Sequence, residues 1–187
     1  MLITPFELQD EPLLFNVSLA PGAIDYAPDT QQIGPLPVEG KADLVVEHRG
    51  PADEVHDIRV RAAYHGTFEV ACARCLDPVT LPLKGEFDLL FRPEKADAEP
   101  GERAITPDET EIGYYGEVGL LLEDVVREQV MLTLPGRTLC KADCKGLCPH
   151  CGQNLNTGTC TCARTASSDP ADSRWHALQS LQATLKQ

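Results

Sequence analysis

Eight cysteines stand in four close pairs: Cys72 with Cys75, Cys140 with Cys144, Cys148 with Cys151, and Cys160 with Cys162. Two thiols one to three residues apart can aim both sulfurs at one ion. Four such pairs therefore supply the ligands for two tetrahedral sites, with metal to sulfur distances of about 2.3 Å for zinc. The spacing favours one site from Cys148, Cys151, Cys160 and Cys162, which lie in one short segment. In the other, Cys72 and Cys75 recruit Cys140 and Cys144. Within Cys148-Pro149-His150-Cys151-Gly152, proline stiffens the loop, and glycine after the second thiol admits the positive φ that turns amides toward sulfur. Two structural zinc ions are the expected cofactor.

Other thiol chemistries fit less well, although an iron-sulfur cluster would use the same ligand set. Disulfide frameworks belong to oxidising compartments. Met1 to Pro12 lacks the basic and apolar regions of a secretory signal, and no apolar run approaches the ~20 residues of a membrane span. The expected location is the cytoplasm, where thiols stay reduced. Cys72-Ala73-Arg74-Cys75 follows a strand pattern but opens no helix that would lower a thiol pKa, which argues against a thioredoxin-like redox pair. Catalytic zinc needs an open coordination position, and neither His-x-Glu, His-Glu-x-x-His, Gly-x-Ser-x-Gly nor a phosphate-binding loop occurs in the chain. No catalytic residue is assigned, and the chain reads as a non-enzyme. His48, His56, His65 and His176 are isolated. His150 sits inside a knuckle, with its ring expected to point away from the ion.

The elements that must position these thiols are mostly strands. Leu13 to Leu19, Leu44 to Glu47, Ile58 to His65, Phe68 to Ala71 and Phe87 to Phe91 are short, apolar or β-branched runs. Pro21-Gly22, Pro35-Leu36-Pro37, Gly50-Pro51, Gly66 and Gly85 separate them as breaks. Ile58, Val60, Ala62 and Tyr64 alternate with Arg59, Arg61, Ala63 and His65, giving one apolar and one wet face. Cys72 and Cys75 then occupy the turn of a hairpin. Residues 92–111 carry prolines and charges and read as a mobile acidic connection. Val118, Leu121, Leu122 and Val125 mark an amphipathic helix that Pro135-Gly136 stops. Trp175, Leu178, Leu181 and Leu185 mark a terminal helix, with Asp172 and Ser173 as caps.

The expected fold is α+β: an antiparallel sheet packed with an amphipathic helix, followed by a cysteine-rich zinc-knuckle segment and a C-terminal helix. Residues 1–135 form the sheet-and-helix core, and 136–187 the zinc segment and terminal helix, stapled to the core through Cys72 and Cys75.

Charge narrows the partners. Sixteen basic against 29 acidic side chains give a net charge of −13 in 187 residues. That balance opposes attraction to a bare phosphate backbone. Arg137, Lys141, Lys145 and Arg164 form a local basic run near the cysteines. It reads either as a solvated loop balancing thiolate charge or as a phosphate-contacting patch.

Order and spacing together carry a resemblance. Cys72-Ala-Arg-Cys75-Leu76 is followed by an acidic helix ending in Leu132-Thr-Leu-Pro135. Then come Leu139-Cys140, Cys144-Lys-Gly-Leu-Cys148, Cys151-Gly152, Asn154-Leu-Asn156, Cys160-x-Cys162 and Ser173-Arg-Trp-x-x-Leu178. Nearly the whole chain thus resembles the YceD-like family, the large ribosomal RNA subunit accumulation proteins. The resemblance implies a non-enzymatic factor of large-subunit biogenesis acting on a large-subunit precursor. It makes a basic ribosomal protein the expected partner, with ribosomal protein L32 a candidate by family gene neighbourhood. A direct RNA-binding zinc ribbon using Arg74, Arg137, Lys141, Lys145 and Arg164 is the alternative.

Overall fold

The chain begins with a short strand β1 (Leu2–Ile3), then β2 (Leu13–Leu19), β3 (Thr30–Gln32) and three long strands, β4 (Leu36–Gly50), β5 (Asp53–Ala71) and β6 (Pro78–Pro93). Strands β7 (Ile112–Tyr115) and β8 (Leu120–Leu121) lead into the helix α1 (Leu122–Thr133). This computed structural model describes residues 1–51, 53–97 and 108–162. The chain divides into two compact units, Met1–Ala71 with Pro78–Thr138, and Cys72–Asp77 with Leu139–Gln187.

In the first unit a six-stranded sheet runs β2-β4-β5-β6-β7, with β3 also paired to β5; β1 and β8 form a separate two-stranded pair. All pairings are antiparallel except that of β6 with β7. The alternation in β5 behaves as expected, with Ile58, Val60, Ala62 and Tyr64 buried and Arg59, Ala63 and His65 exposed.

The strands are longer than the turn signals suggest, because three apparent breaks lie inside them. Leu36 and Pro37 open β4, Gly66 lies within β5 and Gly85 within β6. Glycine serves close packing here. A Cβ on Gly85 would fall 2.6 Å from the Tyr64 ring, and one on Gly66 would fall 2.7 Å from Leu36. A residue without a side chain is the one that lets such neighbours approach the strand. Tyr64 uses the space to reach α1, its hydroxyl donating to the Gln129 carbonyl at 2.9 Å and lying 2.7 Å from Thr133 Oγ1.

The helix also starts later than its apolar pattern suggests. Val118 is 75% exposed, and Leu120 and Leu121 pair as β8 with β1. The buried stripe of α1 is Leu122, Val125, Val126 and Val130, all part of the hydrophobic core cluster. Glu123 and Asp124 in its first turn suit the positive end of the helix dipole. Leu134 precedes Pro135 and is forced into extended geometry, which ends the helix.

Part of the expected acidic connection is ordered structure. Arg92 and Pro93 complete β6, and Glu94–Asp97 and Asp108–Glu111 form 3-10 turns. Residues 98–107 and the expected terminal helix, with Trp175, Leu178, Leu181 and Leu185, lie outside the described residues. Arg92 is buried because it has partners: its Nε and Nη2 donate to the two Asp57 oxygens at 3.1 and 2.8 Å, and Glu47 and Asp97 pair with it as well. The hydrogen bond to Asp57 holds the guanidinium above its ordinary pKa, against the effect of burial. Removing one partner of a buried pair costs more than the pair contributes, because the remaining charge stays desolvated. Asp57→Asn is therefore expected to cost about 3 kcal/mol, read as a lowered midpoint in chemical denaturation.

Candidate metal centre

The cysteines occupy the second unit, and two of their pairs fold identically. In residues 72–77 the Cys72 amide donates to the Asp77 carbonyl at 2.9 Å, and the Leu76 amide to the Cys72 carbonyl at 3.0 Å. In residues 148–153 the Cys148 amide donates to the Gln153 carbonyl at 2.9 Å, and the Gly152 amide to the Cys148 carbonyl at 2.9 Å. Each Cys-x-x-Cys is thus a knuckle closed by the same two backbone bonds. The residue after the second thiol is left-handed in both, with φ +71° at Gly152 and +63° at Leu76. Glycine adopts this conformation freely, whereas a leucine pays about 1–2 kcal/mol for it.

These knuckles gather the thiols into two groups. Cys72, Cys75, Cys140 and Cys144 form one, Cys148, Cys151, Cys160 and Cys162 the other, and the sulfurs of each lie within 4.8 Å of one another. This is the grouping that the spacing favours. In the first, Cys72 Sγ lies 3.8 Å from Cys144 Sγ, and Cys75 Sγ 3.5 Å from Cys140 Sγ. Four sulfurs placed on a tetrahedron 2.3 Å from its centre stand about 3.8 Å apart, so the donor set fits a four-thiolate metal ion. Each group can hold one such ion. Among the described residues no histidine joins either group, and His150 is exposed.

Within each group the thiols are pushed in opposite directions. The Cys72 thiol is lowered to about 6, first by the Arg74 amide and then by that of Cys75. Cys148 is lowered to about 6 by the amides of Cys151 and His150. Their equivalence follows from the shared knuckle. Burial raises Cys75 and Cys140, the Cys148 sulfur raises Cys160, and the Cys151 sulfur pushes Cys162 up to about 12. Crowded sulfurs share protons in this way, and a divalent cation at the centre relieves the conflict by favouring every thiolate at once.

A second layer of donors surrounds the first group. Asn156 Nδ2 donates to Cys144 Sγ at 3.3 Å and lowers that thiol's pKa, and the Cys140 amide donates to Cys72 Sγ at 3.4 Å. Arg74 Nη1 donates to the Cys144 carbonyl at 2.7 Å. Asn154 Nδ2 reaches the two Asp77 oxygens at 3.1 and 3.0 Å. Residue type alone assigned these asparagines no role; their place between Cys151 and Cys160 is the signal that could have. Of the basic residues singled out by sequence, Lys141 and Lys145 are exposed in this unit. Arg137 lies in the first unit, and Arg164 lies outside the described residues. No helix among the described residues is long and apolar enough to cross a membrane.

Comparison with known proteins adds a process to this geometry. The family model described as large ribosomal RNA subunit accumulation protein YceD matches residues 60–182, a stretch that contains all eight cysteines. An uncharacterized protein of Mycobacterium tuberculosis strain H37Rv is 38% identical over 85 residues, covering 45% of this chain and 38% of the relative. A Mycobacterium bovis protein matches to the same extent. The maize protein named large ribosomal RNA subunit accumulation protein YCED homolog 1, chloroplastic, is 24% identical over 128 residues, covering 56% of this chain and 44% of its own length. The matches thus span about two-fifths of the length of these relatives. No solved structure matches the chain.

Proposed function

We propose that this chain, which belongs to the YceD family of large ribosomal RNA subunit accumulation proteins, acts in large-subunit biogenesis by binding a partner and turns over no substrate. The observation that carries this reading is the pair of four-thiolate groups. Each takes one zinc ion through Cys72, Cys75, Cys140 and Cys144, or through Cys148, Cys151, Cys160 and Cys162. Four thiolates close the coordination shell and leave no position for substrate, so the ions support structure and not hydrolysis. The ions' role is to fix the two knuckles; the binding surface is the protein's own.

A net charge of −13 suits a basic ribosomal protein or an assembly intermediate carrying one. Opposite charge speeds the encounter and keeps such a partner from nonspecific RNA. Ribosomal protein L32 is the first basic protein to test, and the cytoplasm is the proposed location. A second reading, direct RNA contact, is favoured by Lys141 and Lys145, which are exposed beside the first thiol group and enter no ion pair among the described residues.

Affinity capture of the tagged protein from cells, with and without RNase, separates the two. A basic ribosomal protein retained after RNase supports the first reading. Complete loss of captured material on RNase treatment, with a steep fall of RNA affinity as salt rises, replaces it by the second.

A further inference from the structure

The two thiol groups are not independent in their hydrogen bonding. The short link Lys145-Gly146-Leu147 joins the last cysteine of the first group to the first cysteine of the second. On one side the Leu147 amide donates to the Arg74 carbonyl at 3.1 Å, within the first knuckle. On the other, Leu147 forms a β-bridge with Asn154, and the Leu155 amide donates to the Gly146 carbonyl at 2.9 Å. The link is packed tightly: a Cβ on Gly146, where φ is +76°, would fall 3.0 Å from the Arg74 carbonyl oxygen.

Two side chains cross the same frame. Asn154 and Asn156 belong to the loop between Cys151 and Cys160, and thus to the second group by sequence. Both reach toward the first group: Asn156 Nδ2 bonds Cys144 Sγ, and Asn154 Nδ2 bonds Asp77, whose Oδ2 lies 3.2 Å from Cys75 Sγ. Asn156 is further tied in place, its Oδ1 accepting from the Lys145 amide at 2.9 Å and its Nδ2 donating to Asn154 Oδ1 at 3.0 Å. The loop that closes the second group therefore carries the outer hydrogen bonds of the first.

We propose that the two metal sites load cooperatively, with Asn154 and Asn156 as positioning residues through which an ion in the second site prepares the first. The proposal rests on the zinc reading given above. An ion held by Cys148, Cys151, Cys160 and Cys162 fixes the loop between its ligands. That loop then presents the Asn156 amide to Cys144 and the Asn154 amide to Asp77 without further ordering cost. Outer-shell partners of metal ligands typically change affinity by about 10- to 100-fold. Coupling is reciprocal, so an ion in the first site raises the affinity of the second by the same factor.

The test titrates the metal-stripped full chain with Co²⁺, whose thiolate absorption reports the filling of four-thiolate sites, and the double-serine variants assign it to one site at a time. The unaltered chain is expected to take up two ions along a cooperative curve. Cys148→Ser with Cys151→Ser, which disables the second site, should weaken Co²⁺ binding at the first by about tenfold or more. Asn156→Ala should produce a loss of similar size at the first site while all eight thiols remain, and Asn154→Ala should shift affinity in the same direction. Cys72→Ser with Cys75→Ser should weaken the second site by the matching factor. Two ions bound along a simple non-cooperative curve, or a first site unchanged within twofold in both the Cys148/Cys151 and Asn156 variants, would overturn the coupling and leave the zinc reading intact. Failure of the unaltered chain to bind Co²⁺ or Zn²⁺ at either site would remove the zinc reading and the coupling together.

Discussion

Replacing Cys75 by serine is expected to lower global stability more than replacing Cys160. The two ligands serve sites of different reach. Cys75 and Cys140 are 65 residues apart, whereas Cys148 to Cys162 is a single local segment. An unfolded chain can still gather local ligands around an ion, and binding to both folded and unfolded states stabilises neither. Ligands 65 residues apart must first close a long loop, which the folded sheet and helix between them have already done. Loop-closure entropy makes that step about 1.7 kcal/mol harder than closing the short loop from Cys151 to Cys160, roughly a twentyfold difference in affinity for the unfolded chain. On the zinc reading, an ion in the first site would thus discriminate folded from unfolded chains, and one in the second would do so less.

Structural zinc contributes an apparent 10 to 16 kcal/mol, or about that, in small sites, so even partial loss is measurable. Thermal melting of the zinc-loaded variants gives the comparison. Cys160→Ser should still cost something, because the second site supports the first through Asn154 and Asn156, but it leaves all four ligands of the first site in place. A Cys160→Ser melt clearly below that of Cys75→Ser would show that the reach of the ligands does not govern stability.

The thiol groups were legible in the sequence because ligand spacing is a local constraint that carries its geometry with it. Proline and glycine in Cys148-Pro149-His150-Cys151-Gly152 announce the knuckle, and Gly152 has the expected positive φ. Leu76 occupies the same position in the other knuckle with the same backbone conformation, and nothing in its residue type signals it. The equivalence appears only when the hydrogen bonds of residues 72–77 are set beside those of 148–153.

The strands were legible as a pattern and misread in extent. Gly66 and Gly85 resemble turn residues, yet each makes room for a partner distant in sequence, Leu36 and Tyr64 respectively. Local composition cannot distinguish a glycine needed for a bend from one needed for a neighbour. Val118 was misleading in a similar way: it falls on the helical period, but Leu120 and Leu121 are drawn into pairing with Leu2 and Ile3 and delay the helix. Arg92 opens the run whose charges and prolines read as a mobile acidic connection, yet it is buried at the end of β6. Asp57, Glu47 and Asp97 make its burial tolerable, and the first two lie 35 and 45 residues from it in sequence.

Charge reversal on α1 should separate the two binding readings. Asp124 and Glu128 are exposed, off the stripe of Leu122, Val125, Val126 and Val130, and suit lysine substitution; Glu123 is less suitable because it pairs with the amino terminus. Their reversal should cost below about 1 kcal/mol of stability. It should still slow capture of a basic protein, since surface charge acts mainly on encounter, and the defect should shrink at high salt. Reversal of Lys141 and Lys145 should leave that capture unchanged. In cells, loss of the gene is expected to lower large-subunit ribosomal RNA relative to small-subunit RNA. Re-expression of the α1 variant should restore that ratio only in part, whereas the Lys141/Lys145 variant should restore it fully. The reverse pattern, with the lysines indispensable and the acids dispensable, transfers the function to direct RNA contact. An unchanged ratio in the deletion strain would defeat both readings, whatever the metal sites do.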